Sequence, residues 1–204
     1  MKEIIFATKN KGKIKEIQAI LGKDFLVKSM EEIGLDIDII EDGKTFEENA
    51  IKKATEISNI TNKIVLADDS GLEIDYLNGE PGVYSSRYMG EETAYSIKNK
   101  KILEILDGVE EEKRNARFVS VIALAIPQKS PITTRGTVEG IIGYEIKGEN
   151  GFGYDPIFYI PELKSTISQL STEEKNKISH RGKALYEMKK ILEKMVWNYE
   201  SNNI

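Results

Sequence analysis

The sequence predicts an α/β fold built on a central mixed sheet flanked by helices. Three observations carry that prediction. Short apolar runs alternate along the chain with stretches of helical periodicity. The middle of the chain reads as a hairpin of two long strands, which makes the sheet mixed rather than purely parallel. No linker, repeat or low-complexity tract divides residues 1–204, so the chain reads as one domain.

The elements follow in order. Ile4, Ile5 and Phe6 open a strand that runs into the polar loop Thr8 to Gly12. Ile14, Ile17, Ile20 and Leu21 then recur at helical spacing, with Gly22 as the stop. Leu26 to Ser29 reads as a short strand, and Leu35 to Gly43 as an acidic loop. Thr45 followed by Glu48 forms a capping box for a helix through about Ile57. Ile64 to Ala67 reads as a buried strand that empties into a polar turn, Asp68-Asp69-Ser70-Gly71, before a second short strand from Leu72 to Tyr76. Pro81-Gly82 begins an irregular stretch to Gly90, and helical signals return from Glu92 to Leu106. Ala116 to Ile126 is the longest strand candidate, with Thr133 to Gly143 as its hairpin partner. A glycine-rich loop, Gly148 to Gly153, precedes the apolar Ile157-Phe158-Tyr159. Two helical segments finish the chain, Glu173 to Ile178 and about Gly182 to Tyr199.

Composition narrows the function classes. Hydrophobic residues make up 40% and charged residues 31%, as in a soluble globular chain. A net charge of -5 argues against an electrostatic grip on a nucleic-acid polymer, while leaving room for a small anion held by local basic residues. No apolar run approaches the ~18 residues of a membrane span. There are no cysteines and one histidine, His180, so disulfides, a thiol nucleophile and the usual zinc sites are set aside. A cytoplasmic location is the expectation.

Four constellations could carry chemistry. Thr8-Lys9-Asn10-Lys11-Gly12-Lys13 stands between a strand and a helix, where backbone N–H groups, a hydroxyl and ammoniums suit a phosphate chain. It lacks Walker A glycine spacing, and an ordinary capped loop with solvated lysines is the alternative. Glu41-Asp42, Glu47-Glu48 and Asp68-Asp69 supply hard oxygens of the kind magnesium prefers. Asp69, at a strand end, can be aimed by a rigid element, and Glu41 lies in a loop that could approach it; Glu47 and Glu48 suit a helix N-terminus. In Gly151-Phe152-Gly153-Tyr154-Asp155-Pro156 the glycines allow close backbone approach, Phe152 or Tyr154 offers a face for a base, and Asp155 offers a carboxylate. Lys175 with Ser179-His180-Arg181-Gly182 offers donors to ligand acceptors; the alternative is a helix capped by Ser179 with Arg181 in solvent.

Taken together and in this order, these blocks resemble the non-canonical purine nucleotide pyrophosphatases, the inosine/xanthosine triphosphate diphosphatases (dITP/XTP pyrophosphatases). Thr45-Phe46-Glu47-Glu48-Asn49-Ala50, Ala67-Asp68-Asp69-Ser70-Gly71-Leu72 and Pro81-Gly82-Val83-Tyr84-Ser85-Ser86-Arg87-Tyr88 belong to the same likeness, which spans nearly the whole chain. It implies an elongated sheet in two lobes with the active cleft between them, a fold shared with Maf-type enzymes, and a homodimer. It implies that Thr8, Lys9, Asn10, Lys11, Gly12 and Lys13 cradle a triphosphate, that Glu41 and Asp69 hold Mg2+, and that Asp69 also activates water. Ser70, Phe152, Gly153, Tyr154, Asp155, Lys175, His180 and Arg181 would contact substrate. A donor on His180 or Arg181 suits O6 of hypoxanthine or xanthine and meets the 6-amino group of adenine badly. Asp42 stands where many members carry threonine. Two alternatives remain at this stage: a Maf-type pyrophosphatase of other nucleotides, which the Ser179-His180-Arg181 block opposes, and a nucleotide-binding regulator without turnover, which the Asp68-Asp69 pair opposes.

Overall fold

A computed structural model describes residues 2–201 of the chain. Among the described residues seven strands and five α-helices follow one another, alternating as far as β4: β1 (Lys2–Phe6), α1 (Lys11–Leu21), β2 (Phe25–Ser29), α2 (Phe46–Thr61), β3 (Val65–Ile74), α3 (Tyr95–Ile105), β4 (Asn115–Ala125), β5 (Ile132–Ile142), β6 (Phe158–Ile160), β7 (Ser165–Thr166), α4 (Thr172–Ile178) and α5 (His180–Ser201). Hydrogen bonding orders the strands β2-β1-β3-β4-β5-β6-β7. β1 pairs parallel with β2 and β3, whereas β6 pairs antiparallel with β5 and β7, so the sheet is mixed as expected.

Contacts divide the chain into two compact units. The first comprises Met1–Asp69, Val121–Gly136 and Arg181–Ile204; the second comprises Ser70–Ser120 and Thr137–His180. The core of the first unit sets Ile4 and Phe6 of β1 against Ile17 and Leu21 of α1 and Leu185 and Met188 of α5. Phe6 is fully enclosed, worth about 1.5–3 kcal/mol over an exposed ring. The core of the second unit gathers Leu72 and Ile74 of β3, Ile102 of α3, Phe118 of β4 and Phe158 of β6.

Local chemistry explains most boundaries. The capping box at α2 forms as predicted: Thr45 Oγ1 accepts from the Glu48 amide while the Glu48 carboxylate accepts from the Thr45 amide. α1 begins at Lys11 because Asn10 Oδ1 accepts from the amides of Gly12 and Lys13, 2.9 and 3.2 Å away. The expectation at Asp68 to Gly71 needs correcting. These residues form no turn; β3 runs unbroken from Val65 to Ile74. Carboxylates are tolerated inside a strand here because the surrounding cations partner them. Ser179 closes α4, its amide donating to the Lys175 carbonyl at 2.8 Å, and stands immediately before α5, which starts at His180.

Candidate active site

In the first unit the acidic pair Asp68-Asp69 inside β3 meets residues of three helices. Asp68 is 1% exposed, and its two oxygens accept from Lys13 Nζ and, at 2.6 Å, from Arg181 Nε. The Arg181 guanidinium, 2% exposed, also donates through Nη1 to Glu16 Oε2 at 2.5 Å. Two cations and two carboxylates thus form a buried network whose charges sum to zero. Asp68 is held well below the usual carboxylate range by Arg181 and Lys13, which overcome its desolvation. Desolvation lowers the Lys13 ammonium. Arg181 is raised, because Asp68 and Glu16 outweigh its burial. The solvated Arg181 of the simpler sequence alternative is therefore corrected: a guanidinium between two buried carboxylates cannot stay in water.

Asp69 and Glu41, the two expected metal ligands, come together around Lys53 of α2. Lys53 Nζ donates to Glu41 Oε1 at 2.5 Å and to the Asp68 carbonyl at 2.7 Å, and lies 3.8 Å from Asp69 Oδ1. Burial pushes the Asp69 carboxyl up to about 6, against the pull of Lys53 and Lys13 and with help from Glu41. That ionisation is poised near neutrality, where a general base works best. Among the described residues no three acidic or histidine side chains gather into a metal-binding group. Two hard carboxylates converging on one cationic group nevertheless suit Mg2+, which takes one or two carboxylates and fills its remaining positions with water and phosphate oxygens.

The loop after β1 is less uniform than its sequence. Lys9 is exposed and bound to Asp36 and Asp38, each at 2.8 Å, and Lys11 is exposed at the start of α1. Thr8 Oγ1 accepts from the Asn10 amide at 3.2 Å. Asn10 Oδ1 occupies the Gly12 and Lys13 amides, so the α1 N-terminus already holds a neutral acceptor. Asp42 pairs with Lys52 on the outside, away from the Lys53 cluster.

In the second unit the glycine-rich turn is built around Asp155. Gly151 and Gly153 take φ of 77° and 70°, the left-handed region glycine tolerates. Asp155, 3% exposed, uses Oδ2 to accept from the Phe152 amide at 2.8 Å and from Lys175 Nζ of α4 at 2.7 Å. Lys175 Nζ also lies 4.5 Å from the Phe152 ring centre. Phe152 is half-buried, but Tyr154 is a core residue whose hydroxyl donates to the Ser85 carbonyl at 2.8 Å, so of the two aromatics Phe152 keeps the more accessible face. His180 is buried, its ring stacked on Phe118 with centres 4.7 Å apart. Ser70 follows Asp69 along β3 and is half-buried.

A profile of the Ham1 family matches residues 4–191 of the chain. The chain belongs to the Ham1 family. Within this family its relatives include the dITP/XTP pyrophosphatase of Bacillus licheniformis, 52% identical over 95% of this chain and 99% of that protein. The dITP/XTP pyrophosphatase of Bacillus subtilis is 50% identical over 95% of this chain and 98% of that protein. Among solved structures, the Staphylococcus aureus Ham1 protein superposes with a TM-score of 0.86 at 45% identity, covering 95% of this chain and all of that one. The family is the one that the ordered motifs of the sequence resemble, and its fold is the mixed α/β sheet described above. Two charged members of this Ham1 chain's first unit escaped the sequence reading: Lys53 and Glu16. Each stands in the apolar stripe of its helix, beside Ala50 and Ala54 or beside Ile17 and Ile20, and that misplacement was the available signal.

Proposed function

We propose that the chain hydrolyses non-canonical purine nucleoside triphosphates, dITP or ITP and dXTP or XTP, to the monophosphate and pyrophosphate with the aid of Mg2+. The family relationship supports the substrate class, and one observation carries the chemistry: the buried Asp69 carboxyl and the Glu41 carboxylate converge around Lys53. Glu41 and Asp69 would hold the metal, which when bound neutralises phosphate charge.

The chain's own groups do the rest. Asp69 accepts a proton as water oxygen forms its bond to a phosphorus of the α–β bridge. The bridging P–O bond then breaks, and Lys13 offsets the charge left on pyrophosphate. Thr8 and the loop through Gly12 position the phosphates, with Lys9 and Lys11 adding positive charge at the surface; Ser70 contacts the substrate. Arg181 serves by fixing Asp68. Phe152 offers a face to the base, Asp155 and Lys175 set the turn that carries it, and the buried His180 supplies the polar edge that separates a 6-keto from a 6-amino purine. A homodimer in the cytoplasm completes the reading; no helix among the described residues is long and apolar enough to cross a membrane.

Pyrophosphate release from dITP, XTP, dGTP and ATP, each with and without Mg2+, tests the proposal. Fast metal-dependent release from dITP and XTP, with dGTP and ATP much slower, is expected. Release from none of them overturns it.

A further inference from the structure

Helix α3 carries no residue assigned so far, yet two polar side chains, Lys98 and Asn99, are buried along it, one turn after the exposed Tyr95. Tyr95, Lys98 and Asn99 recur at i, i+3 and i+4, in line with the core residue Ile102. Lys98 is 1% exposed and donates to the Ser86 carbonyl at 2.6 Å, its ammonium 4.9 Å from the Tyr95 ring centre. Tyr95 meets Tyr154 edge-on at 5.1 Å, and Tyr154 in turn donates to the Ser85 carbonyl. Asn99, 3% exposed, donates through Nδ2 to the Gly153 carbonyl at 3.1 Å, while its buried Oδ1 has no hydrogen-bond partner. The bond to the Gly153 carbonyl is the interaction through which this buried asparagine holds the turn.

That bond grips the turn at a useful point. Gly153 lies between Phe152 and Asp155 with a left-handed φ of 70°, and having no side chain it leaves the backbone there freer to move. From within the turn, Asp155 fixes the Phe152 amide. From outside it, α3 fixes the next carbonyl and the next ring. We propose that Asn99 is a positioning residue: by clamping Gly153 it sets the pose of Phe152 and so tightens purine binding and sharpens base selectivity. The selectivity part rests on the proposed hydrolysis of dITP and XTP; the clamp itself does not.

Asn99→Ala removes the donor, and the isosteric Asn99→Asp sets an acceptor against the Gly153 carbonyl. Hydrogen exchange over residues 148–156 of the full-length, nucleotide-free protein reads the clamp without any substrate. Steady-state kinetics with dITP and dGTP read its use. Loss of one buried hydrogen bond predicts exchange faster by about ten-fold in Asn99→Ala and a KM for dITP raised by about ten-fold. kcat should move much less than KM, the preference for dITP over dGTP should shrink, and Asn99→Asp should exceed Asn99→Ala in each respect. A packing role would instead be restored by Asn99→Leu, an apolar side chain of similar size that cannot donate to Gly153. Unchanged exchange at 148–156 overturns the clamp. Faster exchange with KM and preference within two-fold of wild type overturns its role in selectivity. If the unaltered protein cleaves neither dITP nor dGTP, the proposed function fails, and exchange alone then decides the clamp.

Discussion

Replacing Arg181 with methionine is the sharpest probe of the first unit. The guanidinium stands between Asp68 and Glu16, which are 1% and 6% exposed. Methionine fills similar length without charge, so Asp68 and Glu16 would both lose the guanidinium they share. Removing one partner of a buried ion pair costs about 3–5 kcal/mol, because a desolvated charge is left behind. For a chain of this size each kcal/mol lowers the melting temperature by about 2–4 °C, so a fall of about 6–20 °C is expected. Urea titration and calorimetry at neutral pH would measure it. The double variant Glu16→Gln/Arg181→Met should lose less than the sum of its singles, by about 0.5–3 kcal/mol, since the stranded carboxylate is gone. Added salt should leave the loss nearly unchanged, because screening acts mainly on exposed charges. A cost below about 1 kcal/mol, or strict additivity, would refute the reasoning that the network is closed and desolvated.

Three further outcomes are expected. Asp69→Asn should cut turnover by about 10²–10⁴-fold while affinity for a nucleotide with an uncleavable α–β bridge survives, as judged by calorimetry; retained activity would remove Asp69 from the role of base. Gly151→Ala forces a side chain into φ of 77° and against the Asp155 carboxylate, so it should cost about 1–2 kcal/mol in urea titration and raise the KM for dITP. Glu3 bonds Lys63 and Lys28 and titrates at about 2 instead of its ordinary 4.5; a depressed carboxyl stabilises the fold above 4.5 and loses that contribution as pH falls toward 2. Unfolding midpoints followed down that interval should therefore decline less steeply in Glu3→Gln than in the unaltered protein.

Sequence periodicity located the elements well wherever burial and local capping agreed. The α2 capping box needs only Thr45 and Glu48, three residues apart, and the β4–β5 hairpin needs only two long β-rich runs. The reading failed at Asp68 to Gly71 because a Asp-Asp-Ser-Gly string looks like a turn unless its cations are known, and these arrive from residues 13 and 181. Long-range partners of that kind leave no local trace. The site was legible as a set of motifs, but their internal division was not. Tyr154 and Phe152 look alike in sequence; only packing sends one into the core and leaves the other accessible. Lys53 and Asn99 were overlooked because a lone polar residue in an apolar stripe reads as noise, when it was the better clue.

The composition of the first unit also bears on how this chain is made. β1 lies at residues 2–6, but part of the cover over Ile4 and Phe6 is Leu185 and Met188 of α5. At ribosomal speeds of about 5–20 residues per second, that cover emerges some ten to forty seconds after the strand it protects. Until then a parallel, apolar β1–β2 pair must wait half-clothed while more than a hundred residues pass it. The topology thus imposes a delay between synthesis and closure, and any mutation in α5 that slows docking lengthens the period in which the nascent chain is exposed to aggregation.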